Sequence, residues 1–188
     1  MANPTIKELQ NNDEFEKIAE LTHSEIKEFV INQLTARSRL ITAYMIYQMV
    51  MVVVGLFFFT RSMVLAFHEE LMPLYYSLAA LIFTFTFLIV IHELLHGLAL
   101  KITGAQNLSF GAYWDKFIFY AEADRHVLNR EQFELVALMP LIVVKLLTLG
   151  GLILFISHPV SYFFIFLMSA HSLFCAGDIG LLSIFYRN

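Results

Sequence analysis

Cysteine is almost missing from this chain: Cys175 stands alone, so no internal disulfide can form. Charge is scarce as well. Only 15% of the residues are charged against 59% hydrophobic, and the mean hydropathy of +0.69 is too high for a soluble domain of 188 residues. Basic residues are in no excess, 12 against 16 acidic ones, which leaves no footprint for DNA or RNA. Internal repeats and low-complexity tracts are lacking too. The short basic start of a cleavable signal peptide is not seen, and the first apolar run begins some forty residues in. These absences leave an integral membrane protein, with the lipid bilayer as its first partner.

Long apolar runs are what the chain has instead, and they predict an all-α fold of four transmembrane helices. Residues 41–60 carry no charge and form the first span. A short loop holding Arg61, His68, Glu69 and Glu70 follows, and Pro73 opens a second helix that reaches to about residue 100. After Thr103 and Gly104 the period changes from helical to alternating. Leu108, Phe110 and Ala112, then Phe117, Phe119 and Ala121, predict a β-hairpin around Trp114, Asp115 and Lys116. That hairpin is either a connector or an exposed strand edge to which an extended peptide adds. Asn129 and Gln132 form a capping box that opens a third helix over about 133–156, with Pro140 expected to kink it. The fourth helix covers about 160–186.

Ahead of the spans, residues 1–39 are the only clearly soluble segment. Ile18, Leu21, Ile26, Phe29, Val30 and Leu34 recur at roughly helical spacing, which predicts one or two amphipathic helices near the membrane surface. The organisation is thus an amphipathic segment, 1–39, and a transmembrane domain, 40–188. With the N-terminus in the cytoplasm, the inner side collects Lys7, Lys17, Lys27, Arg37, Arg39, Lys101, Lys116, Arg125, Arg130 and Arg187. The outer side has Arg61 only, so both termini are expected to be cytoplasmic.

The chemistry sits in the second span. Residues 72–91 are uncharged, and His92, Glu93 and His96 follow in the pattern H-E-x-x-H. Positions i and i+4 share a helix face, so both imidazoles can reach one Zn2+ while Glu93 flanks it as general base. Such an ion lowers the pKa of a bound water to about 7. Ionisable groups at membrane depth are functional candidates by default. The competing account is a pair of helix-end histidines hydrogen-bonded to their neighbours, with Glu93 as partner.

A catalytic zinc site needs a third protein ligand. Past Glu134 the only acid is Asp178, between Gly177 and Ile179 in the fourth span. Counted back from the inner helix ends at 1.5 Å per residue, Asp178, His92 and His96 lie at a common depth of about 6–12 Å. Asp178 is therefore the expected third ligand. His171 shares its face but lies about 10 Å further along the axis, and is read as a polar group meeting a substrate carbonyl or an oxyanion, or else as a satisfied buried histidine. Lys145 is a second candidate for oxyanion stabilisation. Cys175 is read as an apolar filler or a further ligand, and His126, His158 and Glu134 as helix-end groups.

His92-Glu93-Leu94-Leu95-His96-Gly97, the following hairpin, Ala137-Leu138-Met139-Pro140 and Gly177-Asp178 resemble a family of small bacterial membrane zincins, catalogued mainly as a domain of unknown function. That family is itself similar to the site-2 proteases, which cut substrates within the membrane. The resemblance covers roughly residues 40–188. It implies zinc held by His92, His96 and Asp178, Glu93 as catalytic base, a membrane-associated peptide or protein as substrate, and a place in the bacterial plasma membrane. One departure stands out: site-2 proteases carry their Asp before a Gly, and here Gly177 precedes Asp178. Two function classes follow, a zinc-dependent intramembrane peptidase and a non-proteolytic metal-binding regulator, chaperone or transport component.

Overall fold

A computed structural model describes residues 3–11, 14–18, 20–22, 25–36, 38–113 and 118–186. Helices α1 (Ile6–Asn11) and α2 (Ile26–Thr35) precede the long α3 (Arg39–Phe67). Next come α4 (Met72–Phe83), a π-helical stretch (Thr84–Leu88) and α5 (Ile89–Ile102), which run on as one rod. The hairpin of β1 (Leu108–Tyr113) and β2 (Ile118–Ala123) follows, then α6 (Arg130–Leu154), α7 (Ser161–Phe174), α8 (Ala176–Leu182) and a closing 3-10 turn (Ser183–Tyr186).

Three helices, Arg39–Phe67, Met72–Ile102 and Arg130–Leu154, are long and apolar enough to cross a membrane. Their outer faces keep large apolar side chains uncovered, Phe57, Ile82, Phe87, Leu147 and Leu154 among them, as in a membrane protein whose solvent is lipid. At the bundle centre α7 is buried on nearly all sides. Small residues let it approach its neighbours: a Cβ on Gly55 would lie 2.8 Å from the Cβ of Ser169.

Two departures from regular helix shape the interior. Along the second rod the buried residues Ala80, Thr84, Leu88, His92 and His96 recur every four positions. A straight α-helix overshoots by about 40° with each such step, and a wider π turn takes up the drift. The hydroxyls of Thr84 and Thr86 support that turn by donating to the carbonyls of Ala80 and Ile82, at 2.7 and 2.8 Å.

The second departure corrects the expected continuous fourth helix. The chain breaks at Cys175, and α7 meets the α8 segment at 41°. Carbonyls of the last turn of α7, which lose their helical partners there, are met by side chains: the Cys175 thiol donates to His171 at 3.4 Å, and the Tyr44 hydroxyl donates to Ser172.

The ends differ from expectation as well. Arg61 lies inside α3, because the apolar residues 63–67 carry that helix on past residue 60, and the loop shrinks to residues 68–71. Ile18 and Leu21 lie outside helix: Ile18 is 84% exposed, in a stretch where Glu14, Glu16, Lys17 and Glu20 leave no continuous apolar stripe. Helix α2 packs on α8, with Val30 against Gly180 and the Gln33 side chain 3.4 Å from the Ser183 hydroxyl.

The hairpin pairs Leu108 with Ala123 through Tyr113 with Ile118; its expected Trp114-Asp115-Lys116 connection and Phe117 lie outside the described residues, as do Arg37 and Arg187. Asn129 caps α6 in the expected box with Gln132. Asn3 ties the N-terminal stretch to the same corner, donating to the Val127 carbonyl at 2.7 Å.

Candidate metal centre

One helical turn apart on α5, His92 and His96 both face inward, 6% and 9% exposed. Their Nε2 atoms lie 3.1 Å from each other. The Asp178 carboxylate reaches in from the first turn of α8, Oδ2 at 3.2 Å from His92 Nε2 and Oδ1 at 3.1 Å from His96 Nε2. The bend at Cys175 is what swings that turn toward α5.

Hydrogen bonding on the far side of each ring decides what these nitrogens offer. His96 Nδ1 lies 2.9 Å from the backbone carbonyl of Val136, which can only accept, so Nδ1 carries the proton and Nε2 keeps a lone pair. That carbonyl is open because of Pro140. Four residues on, proline has no N–H to give back to Val136 along α6.

His92 Nδ1 lies 3.1 Å from Nε2 of His171, a fully buried ring. The other nitrogen of His171 is 3.7 Å from the Cys175 sulfur. With His92 Nδ1–H donating to His171 Nε2, His92 Nε2 is likewise a bare lone pair.

Two lone pairs and a carboxylate then face one point. Asp178 Oδ2 is buried and accepts no directed N–H among the described residues, although His92 Nε2 stands 3.2 Å away. One extra proton would bridge only one of the three contacts, whereas a cation between them satisfies all three. A tetrahedral zinc with ligands at 2.0–2.1 Å separates them by about 3.3 Å, close to the spacing here. The three residues fit such an ion.

Glu93 is half-buried beside this cluster, with the backbone N–H of Ala121 near its carboxylate. Ala121 opposes Phe110 at a register position whose N–H points away from β1, toward α5. Phe110 in turn lays its ring on Gly97, where a Cβ would come within 2.8 Å of a ring carbon. The hairpin is thus seated on the turn of α5 that bears the histidines.

Sequence reasoning therefore singled out three residues that the fold brings together, His92, His96 and Asp178, with Glu93 alongside. The two residues expected to meet a substrate carbonyl or oxyanion, His171 and Lys145, have other neighbours. His171 stands behind His92, out of solvent. Lys145 donates to the Met168 carbonyl and lies 5.3 Å from the Tyr47 ring centroid. His126 pairs with Thr103 at 3.0 Å. Val136 went unnoticed, though the rule that proline frees the carbonyl four residues back would have found it.

An H-E-x-x-H helix whose two imidazoles converge with a distant carboxylate, inside an apolar helical bundle, defines the zincin class of metal sites. Residues 85–188, more than half of the chain, match the family described as "Putative zincin peptidase", and the chain belongs to that family. Membership points to a zinc-dependent peptidase and so to zinc binding, and the described residues include histidine-rich groups that could hold a metal ion. No curated protein and no solved structure matches the chain.

Proposed function

We propose that this chain is a zinc-dependent intramembrane peptidase, akin to the site-2 proteases, with His92, His96 and Asp178 as ligands and Glu93 as general base. The observation that carries the reading is the convergence of three lone-pair atoms beside a carboxylate on the same helical turn. A zinc ion held there supplies Lewis acidity, polarising a carbonyl and acidifying water.

The chain's own residues do the rest. Glu93 takes a proton from water and delivers it to the leaving amine. Helix α5 and the α7–α8 bend keep bulk water from the ligands, and the edge of the hairpin offers backbone groups to an extended segment of a membrane-associated substrate. In this reading the bent pair Ser161–Phe174 and Ala176–Tyr186 serves as a fourth span, and the gathering of basic residues on one side supports cytoplasmic termini at the bacterial plasma membrane.

The test compares membrane proteomes of cells making the parent chain and Glu93→Gln, together with the zinc content of both proteins. A membrane peptide that accumulates only with Glu93→Gln, at equal zinc content, is the expected result. Identical proteomes would move the chain to the non-proteolytic class, and loss of zinc from Glu93→Gln would make Glu93 a ligand instead of a base.

A further inference from the structure

Buried in a helical bundle, a ring N–H has few acceptors, because almost every carbonyl already serves its own helix. His96 uses the carbonyl that Pro140 leaves open, whereas among the described residues no backbone carbonyl is a hydrogen-bond partner of His92 Nδ1. What lies there is the ring of His171, Nε2 at 3.1 Å from His92 Nδ1 and 0% exposed, so no bulk water can take its place.

We infer that His171 is a positioning residue of the metal centre: it accepts the Nδ1–H of His92 and thereby holds His92 in the tautomer that turns Nε2 toward the ion. The inference rests on the proposed role of His92 as a ligand. Cys175 completes the seat. Its thiol donates to the His171 backbone carbonyl at 3.4 Å, and its sulfur packs against the ring, 3.7 Å from Nδ1 and 3.9 Å from Nε2. A sulfur off both N–H axes takes no ring proton, and His171 Nε2, at 3.1 Å, faces the Nδ1–H of His92. Because Cys175 also stands at the break between α7 and α8, the residue that orders His171 is the one beyond which the chain turns to bring Asp178 in.

The atoms of His92, His171 and Cys175 also lie close enough for a second ion, within 4.8 Å of one another. That arrangement would require His92 to give up both ring protons and bridge two metals. Counting ions separates it from a hydrogen-bonded seat.

Purified, metal-free parent, His171→Leu and His171→Gln proteins are titrated with Co2+, following the visible absorption of the bound ion. Leucine keeps the volume and removes the acceptor; glutamine places an oxygen near the position of the lost Nε2. His171→Leu is expected to bind Co2+ about ten- to a hundredfold more weakly with a shifted spectrum, and His171→Gln within about threefold of the parent. Parental affinity and spectrum in His171→Leu would overturn the inference while leaving the ligand assignment standing. So would a His171→Gln as weak as His171→Leu, which would point to packing, or two ions per parent chain with one lost in His171→Leu. A parent chain that takes up no Co2+, or a His96→Ala variant that binds it as the parent does, would end the ligand assignment and the inference together. Should His171→Leu fail to fold, nitrogen-15 spectra of histidine-labelled, zinc-loaded parent decide: a protonated His92 Nδ1 supports the seat, and an unprotonated one removes it.

Discussion

His92 and His96 occupy successive turns of one helix and face one point, yet the structure anchors them by different means. His96 leans on backbone, the Val136 carbonyl released by Pro140. His92 leans on a side chain, His171, which is itself seated on Cys175. The difference teaches how a polar site is built where every main-chain group already has a partner. Either a proline must vacate an acceptor, or a second polar side chain must be buried to supply one. The first device is rigid and cannot be removed by changing the residue that owns the carbonyl. The second is a side chain, open to substitution at each link.

Removing what the two histidines share should have the largest effect. Asp178→Ala is expected to lower zinc from about one ion per chain to near zero, measured by elemental analysis of purified protein, since a catalytic site keeps three protein ligands. Full zinc retention would dissolve the comparison, because the histidines would then have no common carboxylate.

Breaking the hairpin's seat tests the neighbouring turn. In Gly97→Leu the added atoms meet the Phe110 ring, so the hairpin must lift from α5. Zinc content is expected to persist while proteolysis in cells falls by about tenfold or more, the order of loss that follows misplaced groups in a reaction site. Equal loss of both would tie the hairpin to metal retention.

Pro140→Ala sharpens the contrast itself. Alanine restores an N–H that competes with His96 for the Val136 carbonyl, so Co2+ affinity should drop by about three- to tenfold. That is less than for His171→Leu, because the acceptor is shared and not deleted. The reverse ranking would make the backbone anchor the weaker of the two.

Smallest at the site is Gly180→Leu. The new side chain collides with Val30, 2.9 Å from the Cβ position, and should lower stability by about 1–3 kcal/mol without changing metal affinity. A thermal melt in detergent and a Co2+ titration check the two halves of that statement.

Much of this was legible in the chain. Uncharged runs mark the apolar rods, Asn129 with Gln132 marks the start of α6, and a four-residue interval puts His92 and His96 on one face. Asp178 stands out because no other acid follows Glu134. What stayed hidden depends on contacts between distant segments. The break at Cys175 is stabilised by Tyr44, some 130 positions earlier, and no local propensity announces it. His171 was read as lying too far along a straight helix to share an ion with Asp178. The structure instead sets His92 between the two, one ring nitrogen toward each. The π turn lies within an uninterrupted apolar run, where the period of a few residues is too short to show a slip of one.

That wide turn at Thr84–Leu88 has a consequence for mutation by length. Rewinding it as an ordinary α-helix with all of its residues kept would swing the inner half of the rod about 100° relative to the outer half. The imidazoles would be aimed away from Asp178 toward the hydrocarbon, with every residue of the site still present. Deleting one residue along with that rewinding cancels the swing, so the number of residues in the turn is what keeps the two halves of the rod in phase.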